Sequence, residues 1–153
     1  MTKEKDDSDY KKWYYDACSL DSNKDVYVEI ESNIKKHNTK AIISHLSLGE
    51  AFANCHRKGK EQLYAFIDLI SNLKDSDLIK VVGNDHTIKE LKDIFEVFDG
   101  LHAADALHLA TAIYNNCEIL RTTDNDLLKL PKKKVLEIAK KYGCHSFCIT
   151  NMN

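Results

Sequence analysis

Five acidic side chains stand beside the apolar segments of this chain, where carboxylates could act together. They are Asp16, Glu50, Asp105, Asp124 and Asp126. Two ionised carboxylates about 5 Å apart repel each other by roughly 3 kcal/mol at an effective dielectric constant near 20. A cluster of them therefore requires protonation or a cation. Carboxylate oxygens without nitrogen or sulfur partners are ligands that suit Mg²⁺ or Mn²⁺.

Each of these acids also has a purely structural interpretation. Asp16 could order the loop that follows it, and Asp124 could form an Asx turn. Glu50 could pair with Arg57. All five, however, follow predicted strands or stand near the starts of predicted helices, and these places meet at one edge of a parallel sheet. Their occurrence together favours a metal site.

Asp105 lies near the start of residues 102–113, a segment without Gly or Pro that is rich in strong helix formers. Apolar residues occupy more than one face of this predicted helix, which indicates burial on more than one side. An isolated ionised carboxylate in such a place needs a partner, a proton or a metal. Capping of the helix or favourable interaction with its dipole is the alternative interpretation.

Short apolar runs alternate with amphipathic segments along the rest of the chain. We expect strands at residues 13–15, 40–44, 77–82, 117–123 and 146–150. We expect helices at residues 27–36, 46–53, 61–73, 87–98, 102–113 and 133–141, with Ser44 or Ser47 capping the second of them and a loop at 17–22. This alternation predicts an α/β fold of three layers, with a small, mainly parallel sheet flanked by helices.

Composition is that of a soluble globular protein rather than of a membrane protein or a polyanion binder. The chain has 153 residues, 43% of them hydrophobic and 30% charged, with a net charge of −2. We expect residues 1–10 to be a disordered leader and residues 11–153 to form one domain. No apolar run approaches the roughly 20 residues that span a membrane. The 5 cysteines are odd in number and scattered, which indicates reduced thiols in a cytoplasmic protein.

A lysine-rich run, residues 132–141, follows Pro131. It is explained equally well by a solvated helix face and by a patch that contacts nucleic acid.

Four motifs, taken together, resemble the PIN domain family, which includes VapC-type toxins and RNA-processing nucleases. They are Tyr15-Asp16-Ala17-Cys18, Ser47-Leu48-Gly49-Glu50-Ala51, the run from Asp105 to Ala112, and Leu120-Arg121-Thr122-Thr123-Asp124-Asn125-Asp126. The resemblance covers nearly the whole chain after the leader. One departure is Ala17, where many members have Thr or Ser.

The resemblance implies a ribonuclease that depends on Mg²⁺ or Mn²⁺ and hydrolyses RNA phosphodiester bonds. Its acids carry over to Asp16, Glu50, Asp105 and Asp124, with Asp126 as an accessory ligand. It also implies a homodimer and, for a toxin, an antitoxin partner. Around the site, we expect structural roles for the hydroxyls of Ser19, Thr122 and Thr123 and for His45, His102 and His108.

Two other functions remain open at this point. The same fold could bind RNA without cutting it, although a negative pocket facing phosphates would not help such a protein. A phospho-acceptor domain of the response-regulator type also gathers acids at strand ends. That class needs a Lys near the end of the last strand, and residues 146–153 contain none.

Overall fold

A computed structural model describes residues 10–21 and 25–152, so residues 1–9 of the predicted leader lie outside it. The strands are β1 (Lys11–Tyr15), β2 (Thr39–Ser44), β3 (Ile79–Val82), β4 (Ile119–Thr122) and β5 (Cys148–Asn151). The helices are α1 (Ala17–Asp21), α2 (Asp25–His37), α3 (His45–Lys58), α4 (Lys60–Asp75), α5 (Ile88–Val97), α6 (Ala103–Tyr114), α7 (Asn125–Leu128) and α8 (Lys132–Lys141).

The five strands form one sheet in the order β3-β2-β1-β4-β5, and every pairing is parallel. Strand β1 lies in the centre, where Tyr14 is in register with Ile42 of β2 and with Leu120 of β4. Because the strands are parallel, their carboxyl ends share one edge of the sheet, which we call the carboxyl edge.

Side chains alternate between the two faces of the sheet and build two separate cores. Tyr14 and Ile42 belong to the core on one face, with residues of α5, α6 and α8. Tyr15 and Ile43 belong to the core on the other face, with residues of α2, α3 and α4. The prediction of a three-layer α/β/α fold with a parallel sheet is therefore confirmed.

The predicted loop at residues 17–22 is wrong over residues 17–21, which form the short helix α1, and residue 22 lies outside the described residues. The carboxylate of Asp16 accepts a hydrogen bond from the Ser19 amide at 3.0 Å, and the Asp16 carbonyl accepts one from the Leu20 amide at 3.3 Å. A second one-turn helix, α7, begins in the same way at Asp124. Helices of one turn carry too few residues for a hydrophobic period, so their only sequence signal is the capping acid.

The cysteines in the described residues are all free thiols, three of them buried. Within residues 10–21 and 25–152, no helix has the length and the apolar character needed to cross a bilayer.

Candidate active site at the carboxyl edge of the sheet

Three aspartates come together at the carboxyl edge, and we call them the aspartate cluster. One carboxylate oxygen from each of Asp105, Asp124 and Asp126 lies within 4.8 Å of the other two. Asp105 is in the first turn of α6, while Asp124 and Asp126 stand at the start of α7 directly after β4. Two chain segments nearly twenty residues apart in sequence therefore supply one oxygen-only site.

Asp105 carries the clearest electrostatic sign of this crowding. Partial burial raises its pKa to about 6, and the neighbouring charge of Asp124 acts in the same direction. Asp105 does not cap its helix, since His102 is the N-cap residue of α6. The capping interpretation of Asp105 is therefore wrong, and the carboxylate faces other acids instead.

Asp124 has a structural role as well as its place in the cluster. One of its carboxylate oxygens accepts a hydrogen bond from the Asp126 amide at 2.8 Å, which is the Asx turn that starts α7. The same bond fixes the spacing between the two acids of this turn. The structural and the functional interpretations of Asp124 are thus compatible.

Asp16 is joined to the aspartate cluster through Thr122, the last residue of β4. The Thr122 hydroxyl donates to Asp16 Oδ2 and accepts from the Asp124 amide at 2.9 Å. Burial raises the pKa of Asp16, whose side chain is only 2% exposed, and hydrogen bonds from Thr122 and Ser19 oppose that rise. The Thr122 hydroxyl holds the Asp16 carboxylate in place, whereas the Ser19 hydroxyl donates to the main-chain carbonyl of Asp16 at 2.8 Å, so both hydroxyls have structural roles.

Glu50 is held by a histidine and not by Arg57. His108 Nε2 lies 2.8 Å from Glu50 Oε1, and His108 Nδ1 lies 2.7 Å from the hydroxyl of Tyr14. In the neutral tautomer that fits both contacts, Nε2 donates to Glu50 and Nδ1 accepts from Tyr14. Arg57 instead donates to Asn54. The predicted alternative of a Glu50–Arg57 pair is therefore wrong.

Cys18 shows that the remaining acids lie in the same neighbourhood. The pKa of the Cys18 thiol is raised to about 11. Burial is the main cause, and the charges of Asp16, Asp124 and Glu50 act in the same direction. The sequence-predicted acids thus occur as the aspartate cluster, with Asp16 tied to it by Thr122 and Glu50 held close by on His108.

His108 and Tyr14 are the site residues that sequence reasoning undervalued. The side chain of His108 is 4% exposed and bonded at both ring nitrogens, so it is a buried connecting group rather than a free base. Its signal in the sequence is its position one turn after Asp105 on the same helix, together with a polar ring on an apolar segment. Its partners cannot be found from the sequence, because Tyr14 and Glu50 are far away along the chain.

Comparison with known protein families identifies the family to which this chain belongs. The sequence profile of the PIN domain matches residues 13–133, which include every acid described above. The chain belongs to the PIN domain family. Members of this family are generally nucleases.

This PIN domain was also compared with solved structures and with curated protein sequences. The fold is similar to the structure titled "Crystal Structure of PAE2754 from Pyrobaculum aerophilum", with a TM-score of 0.55 over 91% of this chain and 89% of that one. The two sequences are 18% identical, so this likeness shows the fold alone. No curated protein matches the sequence.

The aspartate cluster fits the divalent cation that PIN domains usually bind. Its donors are all carboxylate oxygens, which hard cations such as Mg²⁺ prefer. Burial is the main cause of the raised pKa of Asp105, and repulsion from Asp124 adds to it; a bound divalent cation would offset both costs. In the described part of the chain, no other set of His, Cys, Asp and Glu side chains meets the same spacing.

The stability of the metal-free PIN domain should rise as the pH falls from 7 to 5. The folded pKa of Asp105 is about 6 and exceeds the ordinary model value of 3.8, so the folded state takes up the proton first and gains stability on acidification. The raised pKa of Asp16 acts in the same direction. Thermal melts in EDTA at both pH values, with Asp105→Asn as the control, measure the effect. An advantage of the Asn variant that is as large at pH 5 as at pH 7 would contradict the assignment.

Proposed function

We propose that this PIN domain is a ribonuclease that uses Mg²⁺ or Mn²⁺ to hydrolyse RNA phosphodiester bonds. The observation that carries the proposal is the meeting of Asp105, Asp124 and Asp126 within 4.8 Å at the carboxyl edge. Ligand and substrate sites of open parallel sheets lie at this edge.

The side chains divide into those that would hold the ion and those that orient them. Asp105, Asp124 and Asp126 would hold it directly, with Asp16 and Glu50 completing the acidic site. Thr122 fixes Asp16 against the start of α7, and His108 fixes the carboxylate of Glu50. A divalent cation at this place supplies Lewis-acid stabilisation of the phosphate and an activated water, so no protein nucleophile is required.

The competing functions are less well supported by this arrangement. A protein that only binds RNA gains affinity from Lys and Arg, whereas a cluster of carboxylates repels phosphate unless a cation intervenes. A phospho-acceptor domain would need a Lys at the end of β5. Residues 148–152 read Cys-Ile-Thr-Asn-Met, and none of them is basic.

Cleavage of an end-labelled single-stranded RNA tests the proposal. We expect cleavage with Mg²⁺ or Mn²⁺, loss of cleavage in EDTA, and recovery when the metal is added back in excess. Because water is the proposed nucleophile, the products should lack a 2′,3′-cyclic phosphate. Cleavage that persists in EDTA, or that yields cyclic phosphate ends, would contradict metal-assisted hydrolysis.

We further propose that this nuclease is the toxin of a VapBC-type pair and acts in the cytoplasm. The support is its membership of the PIN family together with its free thiols, three of which are buried. A small DNA-binding protein encoded immediately upstream, which copurifies with the chain and suppresses cleavage, is the expected antitoxin. Normal growth on expression of the nuclease alone would favour an RNA-processing role instead.

We also propose that the protein is a homodimer formed through α4 and α5, which carry exposed apolar side chains. Tyr64 and Ile67 on α4 are 58% and 39% exposed, and Ile88 on α5 is 70% exposed. Sedimentation velocity at micromolar concentration should show a dimer, and Ile67→Asp should shift it toward the monomer. Val28→Asp is the matched control, because Val28 is 63% exposed but lies on α2. A monomeric parent protein would rule out the dimer.

A further inference from the structure

A cavity of about 320 Å³ opens directly beside the aspartate cluster. Its lining residues are Phe98, Gly100, Leu101, His102, Asp126 and Leu130. Asp126 is therefore shared between the cavity and the cluster. The volume lies at the lower end of the range of about 300 to 1,000 Å³ that is typical of small-molecule sites.

The lining combines apolar side chains with one aromatic ring and one imidazole. Phe98, Leu101 and Leu130 pack against the core on their inner sides, so the walls of the cavity are fixed by the fold. His102 is exposed and caps α6 without a side-chain hydrogen bond, which leaves its ring available to a ligand. Neither the metal site nor the sheet uses this imidazole.

This lining is suited to a flat, uncharged, aromatic ligand. Proteins that bind single-stranded RNA stack the unpaired bases on Phe, Tyr, Trp or His rings. An anion would be unfavourable here, because the described lining includes the carboxyl group of Asp126 and neither lysine nor arginine. Because Asp126 belongs to both the cluster and the cavity wall, a base carried on a phosphodiester at the aspartate cluster would lie beside this cavity.

We propose that the cavity is a nucleobase subsite, in which Phe98 and His102 stack a base adjacent to the scissile phosphate of the RNA. This assignment rests on the proposed nuclease function and adds a specificity determinant to it. Phe98 and His102 are positioning residues in this role, and neither takes part in the chemistry at the aspartate cluster.

Titration of the metal-free protein with the four uncharged ribonucleosides, followed by NMR, tests the subsite without any cleavage. We expect at least one nucleoside to shift the signals of Phe98, Leu101 and Leu130, with weak affinity. Phe98→Leu and His102→Ala should each weaken that binding about 5-fold to 10-fold, in the range expected for loss of one stacking contact. Phe95→Leu is the matched control, since Phe95 lies on α5, which ends just before Phe98, but does not line the cavity.

The outcomes separate the subsite from the nuclease function. The subsite would be overturned if nucleosides changed the NMR signals only of residues outside the cavity. It would also be overturned if Phe98→Leu, His102→Ala and the parent bound nucleosides with equal affinity. Shifts produced by inorganic phosphate alone, and not by nucleosides, would also overturn it. Metal-dependent cleavage without nucleoside binding rejects the subsite and leaves the nuclease standing. Nucleoside binding at the cavity in a protein that does not cleave RNA rejects the nuclease function and, with it, the role of the cavity beside a scissile phosphate, and shows a nucleoside site only.

A variant that fills the cavity provides a second test in case Phe98→Leu fails to fold. A Cβ built at Gly100 meets nothing within 4 Å, so a larger residue can begin there, and Gly100→Leu adds bulk at the cavity lining. We expect it to weaken nucleoside binding at an unchanged melting temperature. Full nucleoside affinity in both Gly100→Leu and His102→Ala would contradict the proposal even if Phe98→Leu failed to fold.

Discussion

Replacement of Asp105 by asparagine is expected to abolish metal-dependent cleavage while leaving the metal-free protein at least as stable as the parent. The substitution keeps the shape of the side chain and removes one charge from the aspartate cluster. Changes to residues that merely support metal ligands cost about 10-fold to 100-fold, so the loss at a ligand should be at least about 100-fold. In EDTA, the variant no longer has a partly buried charge at residue 105 or its repulsion with Asp124, which are the two largest causes of the raised pKa of Asp105.

The two measurements for Asp105→Asn are RNA cleavage with Mn²⁺ and a thermal melt in EDTA at pH 7. Asp75→Asn is the matched control, because Asp75 is an exposed acid at the end of α4 and lies outside the site. The control should cleave normally. If Asp105→Asn cleaves as fast as the parent, Asp105 is not a ligand. If it cleaves slowly but is also much less stable in EDTA, its role is structural.

Replacement of His108 by alanine is expected to reduce both stability and activity. His108 is buried, and its loss leaves a cavity and removes hydrogen bonds to Tyr14 and Glu50. We expect destabilisation of about 2 to 3 kcal/mol, in the range for loss of a buried polar side chain. Because Glu50 is released from its fixed position, cleavage should fall by about 10-fold to 100-fold.

A double-mutant cycle with Glu50→Ala separates positioning from simple destabilisation. If His108 acts through Glu50, the activity loss of the double variant should be close to that of Glu50→Ala alone. His56→Ala is the control, since His56 is exposed in the last turn of α3. Losses that multiply in the double variant, measured well below the melting temperature, would show that His108 does not act through Glu50.

The order of strands and helices could be predicted because the apolar pattern determines it. Each strand contains β-branched or aromatic residues, β2 being the most fully buried, and the cap of α3 at Ser44 follows from the residue type. The one-turn helices α1 and α7 could not be predicted, since they are too short for a repeating pattern of apolar residues. Their capping acids, Asp16 and Asp124, stand out in the sequence only as candidate site residues.

The acids of the candidate site could be predicted by type and approximate place, but not by contact. Parallel strands bring the residues after β1 and β4 to one edge, which is why Asp16 and Asp124 could be placed at the same edge from sequence alone. The link between them through Thr122, and the pairing of Glu50 with His108, depend on side-chain directions over long sequence separations. The cavity beside Asp126 depends on the same information and has no sequence signal.

Anomalous X-ray diffraction from crystals soaked in Mn²⁺ tests most directly whether the aspartate cluster binds the ion on which cleavage depends. We predict a strong Mn²⁺ peak among the carboxylates of Asp105, Asp124 and Asp126, at about 2.0 to 2.2 Å from their oxygens. The same peak should be absent from crystals of Asp105→Asn soaked in parallel. No peak at the cluster in the parent protein, at Mn²⁺ concentrations that support RNA cleavage, would contradict the metal site.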